Sequence, residues 1–225
     1  MNCVVLKKED EMPELPIIVA LDNMSYSKAM DMARLLDGKV WGFKLSSLIV
    51  QYGISIIPGV RGYGQIFADL KFHDIPNTVR NHIQALDGKA DLISVHASGG
   101  IDMMLAARET AVKSKIVAVT TLTSYGGELS RDEYVETITK IALANIDTIV
   151  CSGIELKTAS AYAHMTTIVP GIRPLWYEKQ DDQKRTITPR EAMRCGADLL
   201  VIGRPITQNS DPLAALKRIG EELTA

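Results

Sequence analysis

Asp69-Leu70-Lys71-Phe72-His73-Asp74-Ile75-Pro76-Asn77-Thr78 is the stretch from which the rest of the chain is read. It follows an apolar lead-in, Gln65-Ile66-Phe67-Ala68, with the composition of a buried strand. It then runs into Val79-Arg80-Asn81-His82-Ile83, which reads as helix. Alternate side chains of a strand share a face, so Asp69 and Lys71 are expected to point the same way. Asp74 falls just past the strand, at the turn into the helix. Two carboxylates bracketing an ammonium are costly to place in an interior. The stretch is therefore either a structural ion-pair knot or a site of chemistry.

The same strand-then-helix order recurs outward in both directions. Short apolar, β-branched runs at 17–21, 40–45, 65–71, 91–96, 115–120, 147–151, 166–170 and 198–203 read as buried parallel strands. Between them lie helical patterns. Ser25 is placed to cap a helix carrying Ala29, Met32, Ala33 and Leu36 and ended by Gly38. Further helices are expected at 47–52, from Pro76, at 102–113, 132–144, 155–163, 189–196 and 212–222. The glycine-rich segment 53–64 fits no simple pattern. Eight strands alternating with eight helices, with no break in composition, predict a single (β/α)8 barrel over residues 16–225. Residues 1–15 read as a loosely held extension. A doubly wound open sheet is the alternative that periodicity leaves open.

A hydrophobic content of 46% across 225 residues is ample for one sizeable core. The net charge of −2 supplies no basic field for a nucleic acid, so an anionic substrate would need basic groups placed locally. Cys3, Cys151 and Cys195 are odd in number and far apart, which fits a reducing compartment better than a disulfide framework. No apolar run reaches the length of a membrane span, and residues 1–14 lack a signal peptide's apolar segment. A soluble, cytoplasmic protein is expected.

Barrel sites sit at the C-terminal strand ends. Asp22, Lys44, Asp69 with Lys71, His96, Thr120 to Thr123, Pro170, and Gly203 with Arg204 all fall there. Each alone reads equally well as a solvated rim residue. Together with Asp74 just beyond the third strand, they gather two lysines and three carboxylates around one mouth, a convergence that favours function. Asp74 has a rival role as cap of the helix beginning near Pro76. His73 and His96 read as scaffold, and His82 carries no assigned role. Arg204 follows the eighth strand, a region where such barrels often bind phosphate. The long loop from Gly171 to Thr186 suits a lid, with Arg173 near its base and Gln183 placed to reach the same phosphate. Carboxylates on both sides favour the ammonium form of Lys71, which suits giving a proton rather than forming an imine. Lys44 and Lys71 also crowd the place a divalent metal would take between Asp69 and Asp74.

The quoted stretch resembles the signature of the orotidine 5'-phosphate decarboxylase family, closest to its compact bacterial form. The likeness extends through Ala20-Leu21-Asp22, Gly42-Phe43-Lys44, Val95-His96-Ala97-Ser98-Gly99-Gly100, Leu122-Thr123-Ser124, Val169-Pro170-Gly171-Ile172-Arg173-Pro174, Asp182-Gln183-Lys184-Arg185 and Val201-Ile202-Gly203-Arg204-Pro205-Ile206. The departures are the N-terminal extension and Leu175-Trp176-Tyr177-Glu178-Lys179-Gln180.

The resemblance implies a homodimeric barrel that needs neither cofactor nor metal. It implies a charged network of Lys44, Asp69, Lys71 and Asp74, with Asp74 reaching into the partner's site and Lys71 protonating a carbanion at C6. It further implies ribose contacts from Asp22 and Lys44, with Thr78 helping from the partner chain. Thr123 and Pro170 would meet the pyrimidine, and Arg173, Gln183, Gly203 and Arg204 the phosphate. Related sugar-phosphate decarboxylases and aldol-type synthases share an Asp-x-Lys-x-x-Asp core but resemble metal enzymes with a glutamate near the second strand. Lys44 in that region and the His-Asp-Ile-Pro-Asn-Thr continuation set this chain apart from them.

Overall fold

The computed structural model describes residues 14–121, 130–162, 164–178 and 185–224. Eight parallel strands close in sequence order into one barrel: β1 (Leu15–Ala20), β2 (Val40–Leu45), β3 (Gln65–Phe72), β4 (Leu92–His96), β5 (Lys115–Val119), β6 (Thr148–Val150), β7 (Thr166–Val169) and β8 (Leu199–Ile202). The closing pair, β1 with β8, aligns Ile18 with Val201. That pairing excludes the open-sheet alternative. Around the barrel run α1 (Tyr26–Leu35), α2 (Ser47–Tyr52), α3 (Ile57–Arg61), α4 (Pro76–Leu86), α5 (Gly100–Thr110), α6 (Arg131–Leu143), α7 (Leu156–Ala159), α8 (Pro189–Arg194), α9 (Arg204–Thr207) and α10 (Pro212–Thr224).

Burial on both faces of the strands explains their continuous apolar runs, and it divides the core in two. Ile18, Phe67, Leu92, Val117, Val119, Val150, Ile168 and Val201 fill the barrel interior. Their neighbours one residue along, such as Ile17, Val19, Ile66, Ala68, Ile93 and Leu200, point outward against the helices. The interior is thus packed with apolar side chains below the mouth, as small barrels require.

Several boundaries differ from the sequence expectation for local reasons. β1 begins at Leu15, one residue inside the stretch read as extension; Leu15 is buried and its amide donates to Lys39 O at 3.0 Å. Pro16 is compatible with this place at the start of a strand. The unassigned 53–64 segment holds a 3-10 turn (Ile54–Ile56) and then α3, whose Pro58 lies in its first turn. α7 spans only Leu156–Ala159; at its C-terminal cap the Ser160 amide donates to Leu156 O at 2.8 Å, and Ser160 Oγ lies 2.8 Å from both Leu156 O and Cys195 O, where its one proton can go to either. α9 after β8 was not anticipated. The cap read at Ser25 forms, its side chain accepting from Lys28 N, and a full capping box of Thr188 with Glu191, which was not anticipated, opens α8.

Candidate active site

The period of two that packs the barrel interior also delivers its polar residues to the mouth. Two positions beyond Phe67 comes Asp69; two beyond Leu92 comes Ser94; two beyond Val119 comes Thr121. Two beyond Ile168 comes Pro170, and two beyond Val201 comes Gly203. On β1 the step from Ile18 passes Ala20 and reaches Asp22. All of these except the fully buried Ser94 open, with their neighbours, onto a cavity of about 560 Å3, within the range of small-molecule sites.

One wall of the cavity is an alternating row of charges. Asp22 Oδ2 accepts from Lys44 Nζ at 2.5 Å, and Asp22 Oδ1 accepts from Ser47 N at 3.2 Å and Ser47 Oγ at 3.3 Å. Asp69 Oδ2 lies between Lys44 Nζ at 3.5 Å and Lys71 Nζ at 2.7 Å. Asp69 Oδ1 accepts from Ser94 Oγ at 3.0 Å. Burial pushes the Asp69 carboxyl up, but Lys44, Lys71 and the hydrogen bonds from Lys71 and Ser94 outweigh it and hold it below the usual carboxylate range. Burial likewise pushes the Lys44 ammonium down, and Asp69 with Asp22 reverses the sign, leaving it raised. Each charge is kept by its neighbours.

Lys71 reaches this row through an irregularity. Ala68 pairs with Ile93, yet the next registered pair is Phe72 with Val95, so β3 advances four residues while β4 advances two. Within that bulge Lys71 adopts a left-handed backbone, φ 51°, and its amide donates to Ser94 Oγ at 2.8 Å.

Arg173, Gly203 and Arg204 line the same cavity, with Pro170 and Gly171. The Arg173 guanidinium donates to Ile172 O at 2.9 Å and lies over the Tyr177 ring. Arg204 opens α9, directly after β8. Of the residues singled out from sequence, Asp22, Lys44, Asp69, Lys71, Pro170, Arg173, Gly203 and Arg204 thus meet at one cavity. Thr123 and Gln183 lie outside the described residues. Asp74 and Thr78 are not on the cavity wall of their own chain. Asp74 is exposed and accepts from Ile75 N at 2.6 Å. The cap position of α4 belongs to Ile75 and carries no side-chain bond, so capping does not account for the Asp74 carboxylate. His73 and His96 stack with ring centroids 5.7 Å apart, and His96 Nδ1 is bonded to Ser98 Oγ, a scaffold arrangement.

Sequence reasoning missed Ser47 and Ser94, the hydroxyls that hold Asp22 and Asp69. It also missed Met24, Lys28, Thr207 and Gln208 on the cavity wall. Ser94 was legible through the same two-residue step that finds Asp69. Lys28 and Gln208 belong to helical turns whose approach to the mouth depends on how each connection folds back.

The chain matches the family model described as orotidine 5'-phosphate decarboxylase / HUMPS family over residues 15–219. It is 41% identical over 222 residues to the orotidine 5'-phosphate decarboxylase of Dichelobacter nodosus, covering 91% of this chain and 96% of that protein. The corresponding protein of Pseudomonas syringae pv. tomato is 39% identical, with 93% and 98% covered. The crystal structure of orotidine 5'-phosphate decarboxylase from Lactobacillus acidophilus superposes with a TM-score of 0.76 at 30% identity, covering 93% of this chain and 99% of that one. A closed barrel, a charged row at its mouth and these full-length likenesses lead to one conclusion: the chain belongs to the orotidine 5'-phosphate decarboxylase / HUMPS family.

Proposed function

We propose that this chain decarboxylates orotidine 5'-phosphate to UMP and CO2, a step of pyrimidine biosynthesis, by means of its own side chains. The observation that carries this reading is Asp69 held between two ammonium groups, Lys44 and Lys71, on the wall of a cavity that Arg173 and Arg204 also line. The arginines suit a phosphate, which guanidinium groups bind bidentately. Asp22 and Lys44 suit ribose hydroxyls. Thr123 and the Pro170 backbone would meet the base, and Gln183 with Gly203 the phosphate.

With the phosphate held there, the base carboxylate faces Asp69 and the C6 position faces Lys71. The C6–carboxylate bond breaks, its electron pair stays on C6, and CO2 leaves. A pre-placed ammonium stabilises that developing carbanion without reorganisation. Lys71 then transfers an Nζ proton to C6, and solvent returns a proton to the amine. Binding energy from the remote phosphate supports this transition state. The step needs no cofactor. Two ammonium groups beside Asp69 also take the space and charge that a divalent ion would require. Dialysis against a strong chelator should therefore leave turnover unchanged; activity lost and then restored by Mg2+ would contradict the reading.

The reading includes a cytoplasmic homodimer with shared sites, in which Asp74 and Thr78 serve the partner's cavity. It is supported by an exposed Asp74 without a capping role, next to an Ile75 side chain that is 67% exposed. Lys71→Ala and Asp74→Ala should each be nearly inactive as pure dimers. A mixed dimer then has one site with both lesions and one with neither. Random mixing should restore about one quarter of all sites in a two-fold assembly. Mixed dimers demonstrated by mass, with activity no higher than the parents', would show that Asp74 serves its own chain.

A further inference from the structure

We propose that Ser94 is a positioning residue for the reaction, setting the Asp69 carboxylate and the Lys71 backbone relative to each other through one hydroxyl. The inference rests on the reading of Lys71 as proton donor. Ser94 is fully buried on β4 and does not line the cavity, so it has no direct route to the substrate. Its hydroxyl has one proton and two lone pairs. The proton goes to Asp69 Oδ1 at 3.0 Å, and a lone pair receives the Lys71 amide at 2.8 Å. Both partners are the residues whose relative placement matters most, and both lie within the β3 bulge between Ala68 and Phe72.

The bulge is where that placement could be lost. Lys71 sits at φ 51°, a conformation that L-residues with a long side chain rarely adopt. Its amide has left the regular β3–β4 ladder, whose register resumes only at Phe72. Without an acceptor at the Ser94 position the Lys71 amide would lack its partner, and the bulge could relax toward another backbone conformation. Such a relaxation would swing Nζ away from Asp69, to which it now donates at 2.7 Å. On the other side, Asp69 would keep its two ammonium partners but lose the bond that fixes the rotation of its carboxylate. Ser94 therefore acts on geometry that the chemical step uses and that ground-state binding of the nucleotide does not.

The test separates those two. In Ser94→Ala, shown folded by circular dichroism, kcat for orotidine 5'-phosphate should fall about 10- to 100-fold, while the Kd of the product UMP changes by less than about twofold. Ser94→Cys, close in size but a weak hydrogen-bonding group, should fall between Ala and the parent, and Ser94→Thr, which keeps the hydroxyl, should recover more activity than either. A folded Ser94→Ala with the parent's kcat overturns the proposal. So does a loss of UMP affinity equal to the loss in kcat, which would make Ser94 a support of cavity shape. If Ser94→Ala does not fold, Ser94→Cys with parental kcat overturns it equally. Lys71→Ala is measured alongside. Activity retained there defeats the role of Lys71, whereas an inactive Lys71→Ala beside a fully active Ser94→Ala defeats the role of Ser94 alone.

Discussion

Arg185 and Glu155 form the most deeply buried ion pair described in the chain, and its removal has a magnitude that follows from its surroundings. Arg185 Nη1 lies 2.7 Å from Glu155 Oε1, with side chains only 4% and 8% exposed. Ser152 Oγ donates to Glu155 Oε2 at 2.7 Å, and the Ser152 amide donates to the same oxygen at 3.2 Å. The pair joins the chain leaving β6 to the segment that precedes α8. Arg185→Met would leave a buried carboxylate with a hydroxyl and an amide but no cation. Breaking a buried pair in this way costs about 3–5 kcal/mol. For a domain of this size each kcal/mol lowers Tm by about 2–4 °C, so the expected drop is about 6–20 °C. The double variant Glu155→Leu/Arg185→Met should recover most of the loss, because well-packed apolar replacements of a buried pair are often neutral. Thermal unfolding followed by circular dichroism measures both. An Arg185→Met protein within about 2 °C of the parent would refute the premise that this pair is desolvated and unscreened.

Other predictions concern the site more directly. Arg204→Ala should reduce turnover of orotidine 5'-phosphate about 100-fold or more, through lost charge-assisted bonds, yet barely alter turnover of orotidine without the phosphate; equal losses on both would assign Arg204 to the fold or the chemistry. The charged row should shape stability against pH from both sides. Asp69 has a lowered folded pKa, so its contribution is present above the unfolded value and is lost as pH falls through the folded one; Lys44 has a raised folded pKa, so its contribution is present below the unfolded value and is lost as pH rises through the folded one. Both are present between about pH 4 and pH 10, and Asp69→Asn should flatten the acid side of a Tm-against-pH curve measured beside the parent; an unchanged acid slope would contradict the assignment. Gly42→Ala should abolish soluble folded protein or displace β2, because a Cβ there would lie 2.1 Å from Gln65 O and 2.8 Å from Gln65 C, both backbone atoms of β3; a crystal structure with β2 and Lys44 in place would count against it.

The barrel was legible because its signals are local. Parallel strands buried on both faces read as short apolar runs, and each run ends where polar residues first appear. Asp22, Lys44, Asp69, Lys71, Pro170, Gly203 and Arg204 were found by that rule, and the structure brings them to one cavity. Lys71 was found for an incomplete reason. Strict alternation places it on the Asp69 face, but the contact is reached through a bulge and a left-handed backbone that the residue pattern does not announce. Ser94 and Ser47 were passed over because a lone serine in an apolar run carries no charge to draw attention, although each holds an aspartate of the row. Lys28 and Gln208 were missed for another reason. They stand on helical turns, and which turn overhangs the mouth is decided by connection geometry, not by periodicity. Asp74 was left between capping and function, and Ile75 at the cap position speaks against the first without showing the second.

The central claim is that the Lys71 ammonium, held 2.7 Å from Asp69, stabilises and protonates the carbanion left at C6. It is tested most directly by following the loss of orotidine 5'-phosphate absorbance with chelator-treated parent and with folded Lys71→Ala at saturating substrate. The account predicts rapid conversion to UMP by the parent and a fall in kcat of about 1,000-fold or more for Lys71→Ala, since the variant loses both the proton donor and the stabilising charge. A Lys71→Ala enzyme turning over within about tenfold of the parent would contradict it.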